Sequence, residues 1–276
     1  MARSRTVSSM DSSELHKLSL AAARAGAKVA LDLHKDLEKL VFEEKSTGKN
    51  KGADLVSAAD SAVEEVIRSV ILSERPHDAL LGEEGNNVSG VSGLEWVIDP
   101  IDGTLNYAYG RGGFAVSVAV RDESGALAGV VVDVLSGREY SAVRGNGALR
   151  DGLSVGVRST SELIEVLIDL GGGRGLVRER FPDIVRAIQP RVRDIRRVGS
   201  AALALAMVGS GELDAVYGPN LEIWDRAAGA LIAEEGGARV GNLLGGQADD
   251  FMTIAAHPSV FDELAAVVSG ALGGVL

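Results

Sequence analysis

Residues 96–106, WVIDPIDGTLN, constrain this chain more than any other segment. Their apolar start predicts a buried strand, and the end of a strand is a place from which polar side chains point into a cleft. Asp99 and Asp102 stand there with a rigid proline between them, and two carboxylates held in this way suit a hard divalent cation such as Mg²⁺. Gly103 and Thr104 add backbone N–H groups and a hydroxyl, which suit an anion or an activated water. The segment therefore predicts a metal-assisted phosphate site.

The charge of the chain limits its partners. The sequence has 276 residues, a net charge of −11 and a pI near 4.9. Because nucleic acids and anionic membranes are bound through basic surfaces, we expect neither kind of partner. A phosphate ester is also anionic, so the predicted site needs bound cations to invert its local charge.

The composition also bears on the compartment. The chain has no cysteine, which excludes a disulfide framework and a thiolate zinc site and fits a cytoplasmic protein. Residues 1–10 have two arginines and no apolar core, so we expect a disordered tail and not a signal peptide. No apolar run approaches 18 residues, so no membrane-spanning helix is expected.

The hydrophobic pattern predicts two halves, residues 11–152 and 153–276, that form one structural unit. In the first half, a capping box at residues 11–14 predicts a helix to about residue 38, and residues 43–53 predict a loop. A second helix is predicted at 57–73, with Ala58, Ala62, Val66, Ile67 and Val70 on its buried side. Strands are expected at 79–81, 94–99, 114–121, 128–135 and 140–143, with a hairpin connection at 122–125.

The second half alternates between strands and helices, which is typical of an α/β fold. Strands are expected near residues 163–170, 192–197 and 215–217. Helices are expected near 176–189, 200–210 and 225–235, and a last helix starts near Pro258.

Four segments place a carboxylate at the edge of an apolar element. They are residues 54–60 (DLVSAAD), 82–84 (GEE), 99–104 (DPIDGT) and 224–229 (WDRAAG). Each has an ordinary explanation when taken alone, since aspartates cap helices and form turns and paired glutamates occur in solvated loops. The local patterns leave a structural and a metal-binding interpretation open.

In combination, the four segments resemble the inositol monophosphatase family of Mg²⁺-dependent, lithium-sensitive sugar phosphatases. The two defining segments of the family, WVIDPIDGT and WDxAAG followed by EEGG, are intact at residues 96–104 and 224–237. Weaker family features recur at 81–84, 144–148 and 197–202. The resemblance covers roughly residues 14–270. It implies a layered α/β/α/β/α sandwich of the inositol monophosphatase and fructose-1,6-bisphosphatase type, a homodimer, and inhibition by Li⁺.

The resemblance also implies a metal site with two or three Mg²⁺ ions. Glu83, Asp99 and the Ile101 carbonyl group would bind the first ion. Asp99, Asp102 and Asp225 would bind the second, and Glu83 would help to hold a weaker third ion. Such a set of carboxylates needs cations, because like charges in a small volume raise one another's pKa.

The same resemblance implies the catalytic groups. Thr104 and Asp60, together with Glu83, would orient and deprotonate a metal-bound water, so no covalent nucleophile is required. The residues expected to contact the substrate are Asp102, Gly103, Thr104, Arg174, Gly199, Ser200, Ala201, Asn220 and Asp225. A basic residue near the metals is common in the family, and either Lys49 or Lys51 could supply it here.

The positions that select the substrate depart from the family pattern. Inositol phosphatases of the family commonly carry a glutamate where this chain has Gly218, and a segment that commonly carries a serine is GGGR at residues 171–174. Loss of two polar contacts weakens the case for myo-inositol phosphate, since side chains that bind hydroxyls discriminate most sharply. Arg174 and Asn220 are candidate replacements, and Arg174 favours a second phosphate or a carboxylate unless it is a solvated loop residue.

The resemblance implies hydrolysis of a phosphate monoester of a small polyol or sugar, of the inositol-1-phosphate type, by metal-activated water. Fructose-1,6-bisphosphate, histidinol phosphate and a 3′-phosphonucleotide are alternative substrates of the same chemistry. A non-catalytic regulatory protein that keeps the fold is the alternative of another class. The intact carboxylates argue against it, because without metal they would be uncompensated charges.

Overall fold

The N-terminal layer of the protein consists of two packed helices. The computed structural model describes residues 12–35, 42–45, 54–85 and 87–273, so the expected tail at 1–10 and Lys49 and Lys51 lie outside the described residues. The predicted helices are confirmed as α1 (Ser12–His34) and α2 (Ala58–Glu74), although α1 ends four residues early. Gly26 allows their close approach, because a Cβ atom there would lie 2.7 Å from the Ile67 side chain.

A two-stranded ribbon joins these helices. β1 (Phe42–Lys45) and β2 (Asp54–Ser57) pair in antiparallel fashion, so β1 overlaps the start of the predicted loop.

The second layer is a seven-stranded sheet. Its strands lie side by side in chain order, and only the first two are parallel. The valine-rich β-hairpin was predicted correctly, with Asp122 paired to Gly125 across its tight turn. The strands are β3 (Ala79–Gly82), β4 (Glu95–Asp102), β5 (Ala115–Asp122), β6 (Gly125–Asp133), β7 (Glu139–Val143), β8 (Ala148–Arg150) and β9 (Leu153–Val155), and the short helix α3 (Thr104–Ala108) follows β4.

The fourth layer is a five-stranded sheet from the second half. Its strands are β10 (Leu167–Leu170), β11 (Asp194–Arg196), β12 (Ala215–Pro219), β13 (Arg239–Gly241) and β14 (Met252–Ala256), in the order β11-β10-β12-β14-β13. β10 is parallel to β11 and β12, and β14 is antiparallel to its two neighbours.

Helices form the third and fifth layers. They are α4 (Gly175–Glu179), α5 (Phe181–Ile188), α6 (Ala201–Gly209), α7 (Ile223–Glu235) and α8 (Pro258–Leu272). The single helix predicted at 176–189 is wrong in detail, because α4 ends at Glu179 and Pro182 occupies the first turn of α5. The strand predicted at 163–170 begins only at Leu167, after a 3₁₀ turn at Leu163–Glu165.

Four hydrophobic clusters connect the layers and confirm the predicted α/β/α/β/α sandwich. One packs α1 and α2 on the seven-stranded sheet, and another joins the opposite face of that sheet to α6 and α7. The other two join α6 and α7 to the five-stranded sheet, and that sheet to α5 and α8. Within the described ranges, no helix is both long and apolar enough to cross a membrane.

Candidate active site

The end of β4 carries the first two carboxylates of the site. Side chains three residues apart in a regular strand point to opposite faces, so a straight β4 would separate Asp99 from Asp102. The pairing of β4 with β5 is regular up to Asp99 and Ser117, and it then shifts so that Asp102 lies opposite Ala115. This bulge re-aims the strand end, and both aspartates are buried, with 1% and 9% of their surface exposed.

The third carboxylate comes from the first turn of α7. Asp225 forms a capping box with Glu222, whose backbone N–H donates to Asp225 Oδ2 at 2.7 Å. Carboxylate oxygens of Asp99, Asp102 and Asp225 lie within 4.8 Å of one another. We call these three residues the carboxylate cluster.

Electrostatics make the carboxylate cluster a fitting cation site. Burial, followed by repulsion from neighbouring carboxylates, raises the pKa of Asp99 well above its usual range. Burial likewise raises the pKa of Asp102 to about 7 and that of Asp225 to about 6. Among the described residues, no hydrogen-bond donor reaches the buried Asp99 Oδ1. A hard divalent cation would satisfy that oxygen and restore the ordinary acidity of the group.

Glu83 stands on the turn after β3, and its charge interacts with the carboxylate cluster. Its backbone N–H donates to the Ile98 carbonyl at 3.2 Å, which ties the turn to β4. Glu83 is exposed as a residue, but desolvation of its carboxyl group, with the charges of Asp225 and Asp60, raises its pKa to about 8. Glu83 therefore belongs electrostatically with the predicted metal ligands.

The buried face of α2 differs from the predicted one. It consists of Ala59, Asp60, Val63, Glu64, Ile67 and Ile71, so of the predicted buried residues only Ile67 is fully buried. The charge of Asp60 acts on Glu83 and Asp99, which places Asp60 beside these two predicted metal ligands. Glu64 was missed: its Oε2 accepts the Glu84 N–H at 3.1 Å. The only sign of this role of Glu64 in the sequence is its charge, which lies at a position of α2 between apolar residues of the buried face.

Replacing Glu64 by alanine is expected to lower the free energy of unfolding by about 2–3 kcal/mol, because it removes a buried acceptor and leaves a cavity. It should also weaken Mg²⁺ binding, since the turn that carries Glu83 loses its anchor. Glu64→Gln keeps an oxygen acceptor and should retain more of both properties. Urea unfolding and calorimetric Mg²⁺ titration measure the two effects. Unchanged Mg²⁺ affinity in the alanine variant would show that Glu64 does not position Glu83.

The two residues predicted to contact phosphate, Gly103 and Thr104, lie at the junction of β4 and α3. Gly103 has a φ of 96°, and a Cβ atom there would lie 2.8 Å from the Gly113 carbonyl oxygen, so this turn requires glycine. The Thr104 hydroxyl donates to the Ile101 carbonyl oxygen at 3.1 Å. This contact holds Thr104 against a predicted metal ligand, and the pairing of Thr104 with Asp60 stays a prediction.

The start of α6 fixes Asp102. Ser200 Oγ and the Ala202 N–H both donate to Asp102 Oδ2 at 2.6 Å, and the Leu203 N–H donates to Ser200 Oγ at 3.1 Å. Ser200 is 1% exposed, so its hydroxyl positions a predicted metal ligand. Gly199 and Ala201 line the adjoining cleft, and their contact with substrate stays a prediction.

The cleft has a volume of about 230 Å³ and extends from Asp102 and Asp225 to the loop at residues 171–174. Arg174 and Asn220 both line it, as predicted for substrate contacts. The Asn220 side-chain oxygen accepts the Arg174 N–H at 2.8 Å, so this oxygen holds the loop.

Asp169 and Arg197 also line the cleft, but the sequence patterns did not identify them as site residues. Asp169 is buried and accepts the Val198 N–H at 2.6 Å. Burial raises the pKa of Asp169 to about 6, although that N–H group and the charge of Arg197 oppose the shift. Arg197 lines the cleft near Asp169. Only the spatial proximity of β10 and the segment before α6 reveals this pair.

Comparisons with known proteins agree with this geometry. A family model described as "Inositol monophosphatase family" matches residues 11–269. Inositol-1-monophosphatase SuhB of Mycobacterium tuberculosis is 41% identical over 236 residues, 80% of each chain. Nus factor SuhB of Vibrio cholerae is 34% identical, over 84% of this chain and 87% of the relative. The crystal structure of extragenic suppressor protein suhB from Bartonella henselae has a TM-score of 0.87 at 29% identity, over 95% of this chain and 100% of that one.

Proposed function

Because the chain belongs to the inositol monophosphatase family, we propose that it is a Mg²⁺-dependent phosphatase acting on the monoester of a small polyol or sugar. The observation that carries the proposal is the carboxylate cluster of the buried Asp99 and Asp102 and the half-buried Asp225, with its unsatisfied oxygen, beside the loop at Gly103 and Thr104. Inositol-1-phosphate is the reference substrate, since the M. tuberculosis relative is named for it.

The role proposed for each residue follows from the position of its side chain. The carboxylate cluster, Glu83 and the Ile101 carbonyl group would hold two or three Mg²⁺ ions, with Li⁺ as an inhibitor. These ions would supply charge neutralisation at the phosphate and a lowered pKa of water. The N–H groups of Gly103 and Thr104 would orient the phosphate for in-line attack.

Proton transfer falls to the groups around Thr104. Its hydroxyl would hold the attacking water, and Glu83, whose pKa is raised to about 8, would accept the proton with the help of Asp60. A general base needs a pKa near the working pH to be efficient, and bound cations would lower the value for Glu83 towards neutrality.

Replacing Thr104 by alanine is expected to reduce kcat by about 100-fold or more, because the water loses its orienting hydroxyl. The Mg²⁺ affinity measured by calorimetry should change by no more than about threefold, since the Thr104 side chain is not a predicted ligand. Thr104→Ser keeps the hydroxyl and serves as the control. A larger effect on Mg²⁺ affinity than on kcat would make Thr104 a ligand.

Free-phosphate release from a panel of esters tests the proposal as a whole. The panel contains inositol-1-phosphate, fructose-1,6-bisphosphate, histidinol phosphate and a 3′-phosphonucleotide. We expect hydrolysis that requires Mg²⁺ and stops when EDTA is added. Failure to hydrolyse any of these esters with Mg²⁺ present would refute the proposed activity.

A regulatory binding role is the second candidate. It is favoured by the V. cholerae relative, which is named Nus factor SuhB. Absence of turnover over the whole panel would favour this role, and Mg²⁺-dependent turnover would favour the enzyme. The cytoplasmic location and the homodimer also stay predictions.

A further inference from the structure

The segment that leads into α6 lies outside the regular elements on either side of it. β11 ends at Arg196 and α6 begins at Ala201, so residues 197–200 connect the two. In this segment the Ser200 hydroxyl donates to Asp102 Oδ2 at 2.6 Å. The position of the segment therefore decides how well a predicted metal ligand is held.

Both polar groups of the Val198 backbone are bound by side chains. The Val198 N–H donates to Asp169 Oδ1 at 2.6 Å, and the Val198 carbonyl oxygen accepts from Asn106 Nδ2 at 2.8 Å. Asp169 stands on β10, the neighbour of β11 in the five-stranded sheet, whereas Asn106 stands on α3 in the first half of the chain. Asn106 thus ties the segment to the other half.

The Asn106 amide group makes a second bond of the same kind. Its Nδ2 also donates to the Gly113 carbonyl oxygen at 2.8 Å. An amide nitrogen carries two hydrogens, so one side chain can serve both backbone oxygens. Asn106 therefore bridges the residues before β5 and the residues before α6. A side chain without donors would leave both oxygens to find other partners.

The backbone packs closely around this amide group. An added Cβ atom at Gly199 would lie 2.9 Å from Asn106 Cγ, and one at Gly113 would lie 3.0 Å from Nδ2. A Cβ atom at Gly103 would lie 3.1 Å from the Gly199 carbonyl oxygen, so the turn predicted to contact phosphate packs on the same segment. Because closely packed groups transmit strain, loss of the amide is expected to shift the segment.

Asn106 is also close in the chain to the predicted phosphate contacts. α3 begins at Thr104, and Asn106 lies two residues later in the same short helix. The Tyr107 N–H donates to the Gly103 carbonyl oxygen at 3.1 Å, which holds the helix to the turn. A segment that is bound by Asn106 is therefore positioned relative to Gly103 and Thr104 as well.

We propose that Asn106 is a positioning residue for the metal site. It fixes residues 197–200 and thereby keeps the Ser200 hydroxyl on Asp102. The inference rests on the proposed phosphatase function and adds to it a residue outside the predicted ligand and substrate sets. The effect is indirect, because the amide group binds backbone carbonyl groups and acts on Asp102 through Ser200.

Two substitutions test this role in the full-length, Mg²⁺-loaded protein. Asn106→Ala removes both donors, and Asn106→Leu removes them while keeping most of the side-chain volume. Each should reduce kcat for the panel ester that is hydrolysed fastest by about 10–100-fold, because small displacements of positioned groups have effects of this size. Calorimetry should show Mg²⁺ binding weakened by about threefold or more.

Asn146→Ala is the matched control. Asn146 is exposed, and its amide group donates within its own turn to the Arg144 carbonyl oxygen at 3.1 Å. The same change of side chain should therefore leave kcat and Mg²⁺ affinity as they are.

A double-mutant cycle separates positioning from stabilisation. Ser200→Ala removes the contact through which Asn106 acts on Asp102. The kcat loss of the Asn106→Ala, Ser200→Ala double variant should be smaller than the product of the two single losses, by about fivefold or more. A residue that only stabilises the fold would lower the melting temperature, and the two losses in kcat would multiply.

The possible failures are distinguishable. Near-normal kcat in both Asn106 variants, losses that multiply in the cycle, or failure of both variants to fold would each overturn the positioning role and leave the phosphatase intact. Absence of Mg²⁺-dependent hydrolysis of every ester by the unaltered protein would instead overturn the proposed function. The calorimetric measurement would then decide the role of Asn106, and an unchanged Mg²⁺ affinity in its variants would overturn it.

Discussion

Replacing Asp99 by asparagine is expected to reduce kcat by about three orders of magnitude or more, because the predicted bridging ligand loses its charge. Asp99 is the most deeply buried member of the carboxylate cluster, and its Oδ1 has no protein donor among the described residues. A neutral amide coordinates Mg²⁺ more weakly than a carboxylate and neutralises none of its charge.

The same substitution should raise the melting temperature of the metal-free protein. Burial and the neighbouring carboxylates disfavour the ionised form of Asp99, and an amide of the same shape removes this repulsion. Phosphate-release kinetics and thermal unfolding in EDTA measure the two effects. Asp32→Asn is the control, since Asp32 is an exposed residue of α1 that pairs with Lys28 and Lys35 at the surface. Near-normal turnover of Asp99→Asn would exclude Asp99 as a metal ligand.

Stability of the metal-free protein is expected to fall as the pH rises from 5 to 8. The folded-state pKa values of Asp102 and Asp225, about 7 and about 6, lie above the ordinary value of an aspartate. The folded state therefore binds protons more tightly than the unfolded state. The resulting stabilisation is complete below pH 4 and is lost as the pH rises through the folded-state values.

The size of this effect follows from the size of the shifts. Between pH 5 and pH 8 the folded-state advantage falls by about two pKa units for Asp102 and about one for Asp225, or about 4 kcal/mol in total. Since 1 kcal/mol corresponds to about 2–4 °C in a domain of this size, we expect a decrease of about 8–16 °C. Saturating Mg²⁺ should abolish most of this decrease, because bound cations replace the protons.

Thermal unfolding over this pH range, with and without Mg²⁺, provides the measurement. Three other buried groups also change the pH dependence of stability. Burial lowers the pKa values of His16 and His34, so these two residues make the protein more stable as the pH rises. Burial raises the pKa of Asp169 to about 6, so Asp169 has the same effect as Asp102 and Asp225. These three residues are outside the metal-ligand set, so their contributions cancel in the difference between the two curves. A difference that does not grow with pH would mean that Mg²⁺ does not bind at the carboxylate cluster.

The sequence was sufficient for the elements that depend on local patterns. The periodicity of α1, the valine-rich strands β5 and β6 and the apolar start of β4 are local signals, and all of them appear in the structure. The single helix expected at 176–189 failed at Arg180, because a continuous helical pattern does not show where a chain turns.

The sequence by itself was sufficient to predict the metal ligands Asp99, Asp102 and Asp225, because they stand in segments that are typical of one family. Hydrophobic periodicity gave the wrong buried face for α2, since that face carries Asp60 and Glu64, two carboxylates that a hydrophobic pattern assigns to the solvent side. A strand pattern likewise contains no sign of the bulge that unites Asp99 with Asp102.

The surroundings of the substrate were decided only by the tertiary structure. Arg197 reaches the cleft by packing on Phe181 and Gly172, and Leu221 fills the space beside Gly218. These contacts join residues that no common motif connects, and each depends on distances set by the layers of the sandwich. The residues that are predicted to bind metal stand in short segments of the sequence, whereas the shape and charge of a cleft depend on how distant segments pack.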